Sequence, residues 1–210
     1  MTATAPQSPA PNPLALFVRG LEALLATPRP EREILRGGRR LLTQLVAEDG
    51  WLPDAYARPD LQHYRQFLLY RDPPVGPRAP RFSVVSFVWG PGQFTPIHNH
   101  TVWGLIGVLR GAETSQRYRI GDDGVPAALG HAERLERGAV EAVSPTVGDV
   151  HRVSNAHADR TSVSIHVYGA DIGEVSRATF TADGRQRTFV SGYSNDAATP
   201  PFVIDREIAR

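Results

Sequence analysis

A chain of 210 residues with 41% hydrophobic and 21% charged residues has the make-up of a soluble globular protein. At this length roughly 70% of the unfolded surface can be buried in one core. Lys+Arg exceed Asp+Glu by 23 − 22 = 1, which speaks against nucleic-acid binding driven by counterion release and against a polybasic membrane-surface protein. With no cysteine in the chain, disulfides, thiolate zinc sites, iron–sulfur clusters and cysteine nucleophiles are all excluded.

Residues 1–13 (MTATAPQSPAPNP) have neither the basic start nor the apolar stretch of a secretory signal, and predict a disordered Pro/Ala leader. No apolar run approaches the ~20 residues of a membrane span. A single cytoplasmic domain over 14–210 is therefore expected, with a helical preamble at 14–60 and a β region at about 61–195. Leu14, Phe17, Leu21, Leu24 and Leu25 recur at helical spacing. A second helix is predicted over 31–48, with Pro30 at its start and Gly37-Gly38 weakening its centre. Its Arg32, Arg36, Arg39 and Arg40 raise a DNA-reading helix as an alternative, but Glu31, Glu33, Glu48 and Asp49 dilute that charge and favour a solvated face.

The texture then changes. In 61–70 (LQHYRQFLLY), Tyr64, Gln66, Leu68 and Tyr70 alternate, which predicts a strand with those four on one face. FSVVSFVW (82–89), WGLIGVLR (103–110), ETSQRYRI (113–120), EAV (141–143) and RTSVSIHVYG (160–169) are β-branched and aromatic, and Gly, Pro, Asn and Asp separate them. The 37 Gly and Pro residues (19 + 18) suit many short strands. A mainly β sandwich or barrel behind two helices follows.

Seven histidines are present, and His98 and His100 stand at i and i+2 in PIHNHTVW. On a strand both imidazoles leave one face and can share a metal. An isolated pair of this kind equally fits two exposed histidines beside a turn. In SVSIHVYG, Ser164, His166 and Tyr168 also share a strand face. They can pass a hydrogen-bond chain that fixes the imidazole tautomer and aims the phenol, or form the wet side of an amphipathic strand. His63, His131 and His157 lie in no motif.

The HxH segment, Gly111 after it, and the later SPTVGDVHRVSN with Gly148, His151 and Asn155 together resemble the paired motifs of the cupin superfamily. The resemblance implies a double-stranded β-helix barrel with a metal held by His98, His100 and His151. Two departures stand out: Gly104 occupies the place of the usual first-motif Glu, and the PxG of the second motif is stretched to Pro145–Gly148. A tri-histidine cupin with a Ser-x-His-x-Tyr strand is similar to the cysteine dioxygenase family of thiol dioxygenases. That resemblance runs from about Tyr64 to Ser194. It implies Fe(II) as cofactor, with a small thiol and O₂ as reactants, a sulfinic acid as product, and Ser164, His166 and Tyr168 as catalytic residues. No nucleic-acid or membrane partner is implied.

The Tyr-x-Arg stretch that grips the carboxylate in mammalian members is here Tyr64-Arg65-Gln66. Gln66, with HTVWGLIGVLRGAE (100–113) and GYSN (192–195), resembles the bacterial branch typified by 3-mercaptopropionate dioxygenase. Gln66 and Arg177 are the implied substrate-binding residues. Without a cysteine, Tyr168 cannot carry the Cys–Tyr cross-link of mammalian members. The alternatives are another metal-dependent cupin, such as an isomerase, or a cupin that binds a small ligand without turnover.

Overall fold

The computed structural model describes residues 12–74 and 79–198, together with Phe202. The expected leader falls mostly outside these residues. Its end differs from expectation: α1 (Pro13–Leu24) already begins at Pro13, and the Asn12 side chain accepts a hydrogen bond from Leu14 N at 2.9 Å as its N-cap. Glu31 and Glu33 stand in the first turn of α2 (Glu31–Ala47), where the helix dipole favours negative charge.

Among the described residues eleven strands follow: β1 (Arg65–Arg71), β2 (Ser83–Trp89), β3 (Ile97–His98), β4 (Gly104–Arg110), β5 (Ala112–Ile120), β6 (Pro126–Glu136), β7 (Val140–Val143), β8 (His151–Asn155), β9 (Ser162–Tyr168), β10 (Arg177–Phe180) and β11 (Gln186–Phe189). They form two antiparallel sheets, ordered β1-β2-β9-β4-β7 and β11-β10-β3-β8-β5-β6. The order interleaves strands distant in sequence, as a double-stranded β-helix requires, and the expected cupin barrel is the fold. No helix among the described residues is long and apolar enough to cross a membrane.

The five-stranded sheet is covered on both faces, which explains why β2 and β9 are buried along their whole length. Val163, Ile165 and Val167 of β9 join the cluster that includes Leu14, Leu21, Leu42 and Val46 of the helices. The opposite face, with Leu68, Val85, Phe87, Trp89 and Tyr168, looks into the barrel. Gly37 and Gly38, expected to weaken α2, instead let it pack closely. A Cβ on Gly38 would lie 2.6 Å from Leu105 Cδ1 of β4, and one on Gly37 2.8 Å from Leu24 Cδ2.

Two further expectations are corrected. Tyr70 does not share the face of Tyr64, Gln66 and Leu68, because the β1–β2 register shifts between Leu68 and Tyr70. That irregularity turns Tyr70 toward Phe82 and Glu22 on the helical side. The eleven-residue β6 is a strand that the composition of 126–136 does not announce; it is exposed, and its pairing with β5 is set by the tight turn at 121–124.

Candidate metal centre and active site

His98, His100 and His151 meet at one end of the barrel interior. All three are buried, and one ligand atom from each lies within 4.8 Å of the others. His98 and His151 are direct register partners across β3 and β8. His100 reaches the site by a different route from the one expected: β3 ends at His98, so His100 enters from the turn beyond it. That turn holds Thr101 at φ 61°, outside the usual range for a β-branched residue. Asp149 fixes it by accepting the backbone N–H groups of His100 and Thr101, each at 2.9 Å.

The hydrogen bonds also select the tautomers. His98 Nδ1 donates to the Pro96 carbonyl at 3.1 Å, and His100 Nδ1 donates to the Asp149 carboxylate at 3.2 Å. His151 Nδ1 faces Ser115 Oγ at 3.5 Å, with Glu141 Oε2 at 3.9 Å. With Nδ1 carrying the proton, Nε2 keeps its lone pair for the shared point. His100 Nε2 is buried with no hydrogen-bond partner, the signature of a nitrogen reserved for a ligand. Burial, and secondarily the neighbouring His100 ring, brings His98 down to about 3 and His151 well below its ordinary range. Neutral imidazoles held this way fit a divalent first-row metal.

The resulting group of three can hold a metal ion. Asp149 is a supporting residue that the sequence reading misses; its one signal there is its place between Gly148 and His151. Burial pushes its carboxyl up, but the hydrogen bonds from His100 and Thr101 outweigh that and hold it low.

Beside the triad, Ser164, His166 and Tyr168 form an unbroken line inside the barrel, not a wet strand face. Ser164 Oγ lies 2.8 Å from His166 Nε2, and His166 Nδ1 lies 2.8 Å from Tyr168 Oη. Phe87 stacks on the His166 ring at 4.0 Å, and Tyr168 stacks on His100 at 5.4 Å. Burial raises the Tyr168 phenol and depresses His166 well below its ordinary range, so the line is uncharged near neutrality.

A cavity of about 120 Å³ opens onto His98, His151, His166 and Tyr168. Tyr64, Gln66 and Arg177 line its other side, and among the described residues no Asp or Glu does. Arg177 is 5% exposed, donates from Nη2 to Ser191 Oγ at 2.5 Å and lies over the Phe189 ring at 4.7 Å. Its Nε has no partner, and among the described residues no carboxylate pairs with it. Desolvation lowers its pKa. Gln66 shares the cavity wall, but its Nε2 already donates to the carbonyls of Ser191 and Gly192 at 3.2 and 2.8 Å. It braces the segment that positions Ser191 and, through it, Arg177. Arg65 pairs with Asp60. Trp103, adjacent to the HxH, packs against Gly169, where a Cβ would stand 2.2 Å from its Nε1.

Fold and triad together define a metal-binding cupin. Residues 53–178 match the family model of cysteine dioxygenase type I, and the chain belongs to that family. Among solved structures it is similar to an uncharacterized conserved protein with a double-stranded β-helix domain from Klebsiella pneumoniae subsp. pneumoniae, at 18% identity over 64% of this chain and 91% of that one, TM-score 0.41. It is also similar to a cupin superfamily protein from Desulfitobacterium hafniense DCB-2, at 12% identity over 59% and 87% of the two chains, TM-score 0.39. An oxalate oxidase in complex with the substrate analogue glycolate matches at 15% identity over 55% and 56%, TM-score 0.42.

Proposed function

We propose that the protein is an iron-dependent thiol dioxygenase that converts a small thiol carboxylate to its sulfinic acid, R–SH + O₂ → R–SO₂H. The observation that carries this reading is Arg177: a buried guanidinium without a carboxylate partner, lining the cavity onto which the histidine triad opens. A buried cation left unpaired is costly, and a carboxylated substrate completes the pair.

His98, His100 and His151 would hold Fe(II) through Nε2. When bound, the ion supplies a positive centre that favours the thiolate over the thiol and a place for sulfur and dioxygen to meet. Arg177 binds the substrate carboxylate, and Gln66 keeps Ser191 in place beside it. Phe87, Trp89 and Val153 keep the cavity wall apolar, which strengthens every charge interaction inside it. Tyr168 holds its proton and is oriented by His166, so its hydroxyl can donate to oxygen-centred charge that develops beside the triad.

The absence of Asp and Glu from the cavity lining among the described residues favours 3-mercaptopropionate over L-cysteine. The ammonium of cysteine would enter beside Arg177 with no counter-charge. The test is O₂ uptake by anaerobically iron-loaded protein with each thiol across a concentration range. A higher kcat/KM for 3-mercaptopropionate, with sulfinate as product, is expected. Equal or better turnover of L-cysteine would overturn the substrate assignment, and no uptake with either thiol would overturn the reaction.

A further inference from the structure

Glu113 of β5 is fully buried beside the serine end of the Ser164–His166–Tyr168 line. Its carboxyl faces Ser164 and Trp89, yet neither oxygen makes a hydrogen bond of regular length and angle. The Trp89 indole instead donates to Ser164 Oγ at 3.3 Å. Arg117, on the same strand, is engaged by Glu141 and by the carbonyls of Ala142 and Val147. Among the described residues no cation is paired with this carboxyl.

We propose that Glu113 is a positioning residue, the fourth member of the line, and that its protonation state sets the direction in which the line's protons point. As a neutral acid, Glu113 donates to Ser164 Oγ. Ser164 then accepts from Glu113 and Trp89 and gives its own proton to His166 Nε2. His166 must in turn donate from Nδ1 to Tyr168 Oη, which leaves the Tyr168 proton free to enter the cavity. As a carboxylate, Glu113 accepts a hydrogen bond from the Ser164 hydroxyl, which keeps its proton. Ser164 then accepts from His166 Nε2–H, and His166 Nδ1 draws the Tyr168 proton away from the cavity. No proton leaves the line in either state apart from the one on Glu113.

The groups that act on Glu113 are few. Glu141 on β7 repels its charge, and burial is the larger influence, so the carboxyl is pushed up to about 7 despite the Ser164 and Trp89 dipoles. On β9, His166 stays neutral and Tyr168 stays protonated through that range. Asn155 of β8 and Leu135 of β6, its register partners, and Trp89 of β2 carry no charge. The switch is therefore a single-proton event near neutral pH, with the active direction on the acid side.

The consequence for turnover rests on the thiol dioxygenase reading, whereas the proton direction does not, and two measurements separate them. Infrared difference spectra of the metal-free protein, titrated from about pH 5 to about pH 9, should show a protonated carboxyl stretch that disappears on titration and is absent in Glu113→Gln. The C–O mode of Tyr168, identified by its loss in Tyr168→Phe, should shift with the same midpoint. In the iron-loaded enzyme, kcat should fall on the alkaline side of that midpoint, and Glu113→Gln, which cannot ionise and keeps an amide N–H donor for Ser164, should abolish this limb. Glu113→Leu should lower kcat roughly ten- to hundredfold at every pH. A Tyr168 mode that ignores the Glu113 titration overturns the proposal whatever the activity. An unchanged alkaline limb in Glu113→Gln overturns its role in turnover.

Discussion

A Cβ on Gly104 would stand 2.8 Å from Cδ1 of Tyr168 and 2.9 Å from its Cε1. The bare backbone at 104 is thus the floor on which the phenol ring lies, where the cupin pattern otherwise carries a glutamate. Gly104→Ala should push the ring out of line with His166. Turnover should drop at least about tenfold while metal content stays at the wild-type level, as read by elemental analysis alongside O₂ uptake. Loss of the metal would show that the substitution disturbs the triad and not the tyrosine.

Removing the phenol hydroxyl tests the same line from its other end. Tyr168→Phe keeps the ring against His100, so iron binding should persist. The kcat should fall about tenfold to a thousandfold. Wild-type kcat in that variant would sink the assigned role.

Arg177→Gln should raise KM for a thiol carboxylate by roughly one to three powers of ten, the range expected when a buried charge-assisted hydrogen bond is lost. The corresponding thiol without a carboxylate should be affected far less. A similar loss for both would mean that Arg177 supports the fold and not the substrate.

Asp149 ties the turn after His100 to the ring of His100. Asp149→Ala should weaken metal binding about 10–100-fold, measured by competition with a calibrated chelator. Wild-type affinity would show that the histidines hold their geometry unaided.

Much of the site is legible in the amino-acid sequence, for identifiable physical reasons. The alternation of Ser164, His166 and Tyr168 with three apolar residues defines a shared face, and a strand buried on both sides turns that face inward. The histidine spacing indicates a shared metal, although His100 arrives from a turn and not a strand. Tyr70 escapes because a bulge reverses a face without changing composition. Asp149 and Glu113 escape because each works through contacts between segments far apart in sequence. Gln66, singled out by its place after Tyr64-Arg65, does line the cavity, but the carbonyls that engage its amide lie some 125 residues downstream.

The raised pKa of Glu113 carries a stability consequence. Its ordinary value is 4.5, and the folded state holds it at about 7. Between those values the unfolded chain has released a proton that the folded chain retains, so stability falls as pH rises through the window and levels off above it. Glu113→Gln should remove this fall, a difference of up to about 3 kcal/mol. Urea melts of the metal-free proteins across the window should diverge accordingly. Parallel pH profiles would mean that Glu113 titrates at its ordinary value.

The most direct test of the central claim is product analysis after turnover of iron-loaded protein with 3-mercaptopropionate under isotopically labelled dioxygen. A sulfinate with both added oxygens carrying the label is expected. A disulfide, or a sulfinate with oxygen drawn from water, would contradict it.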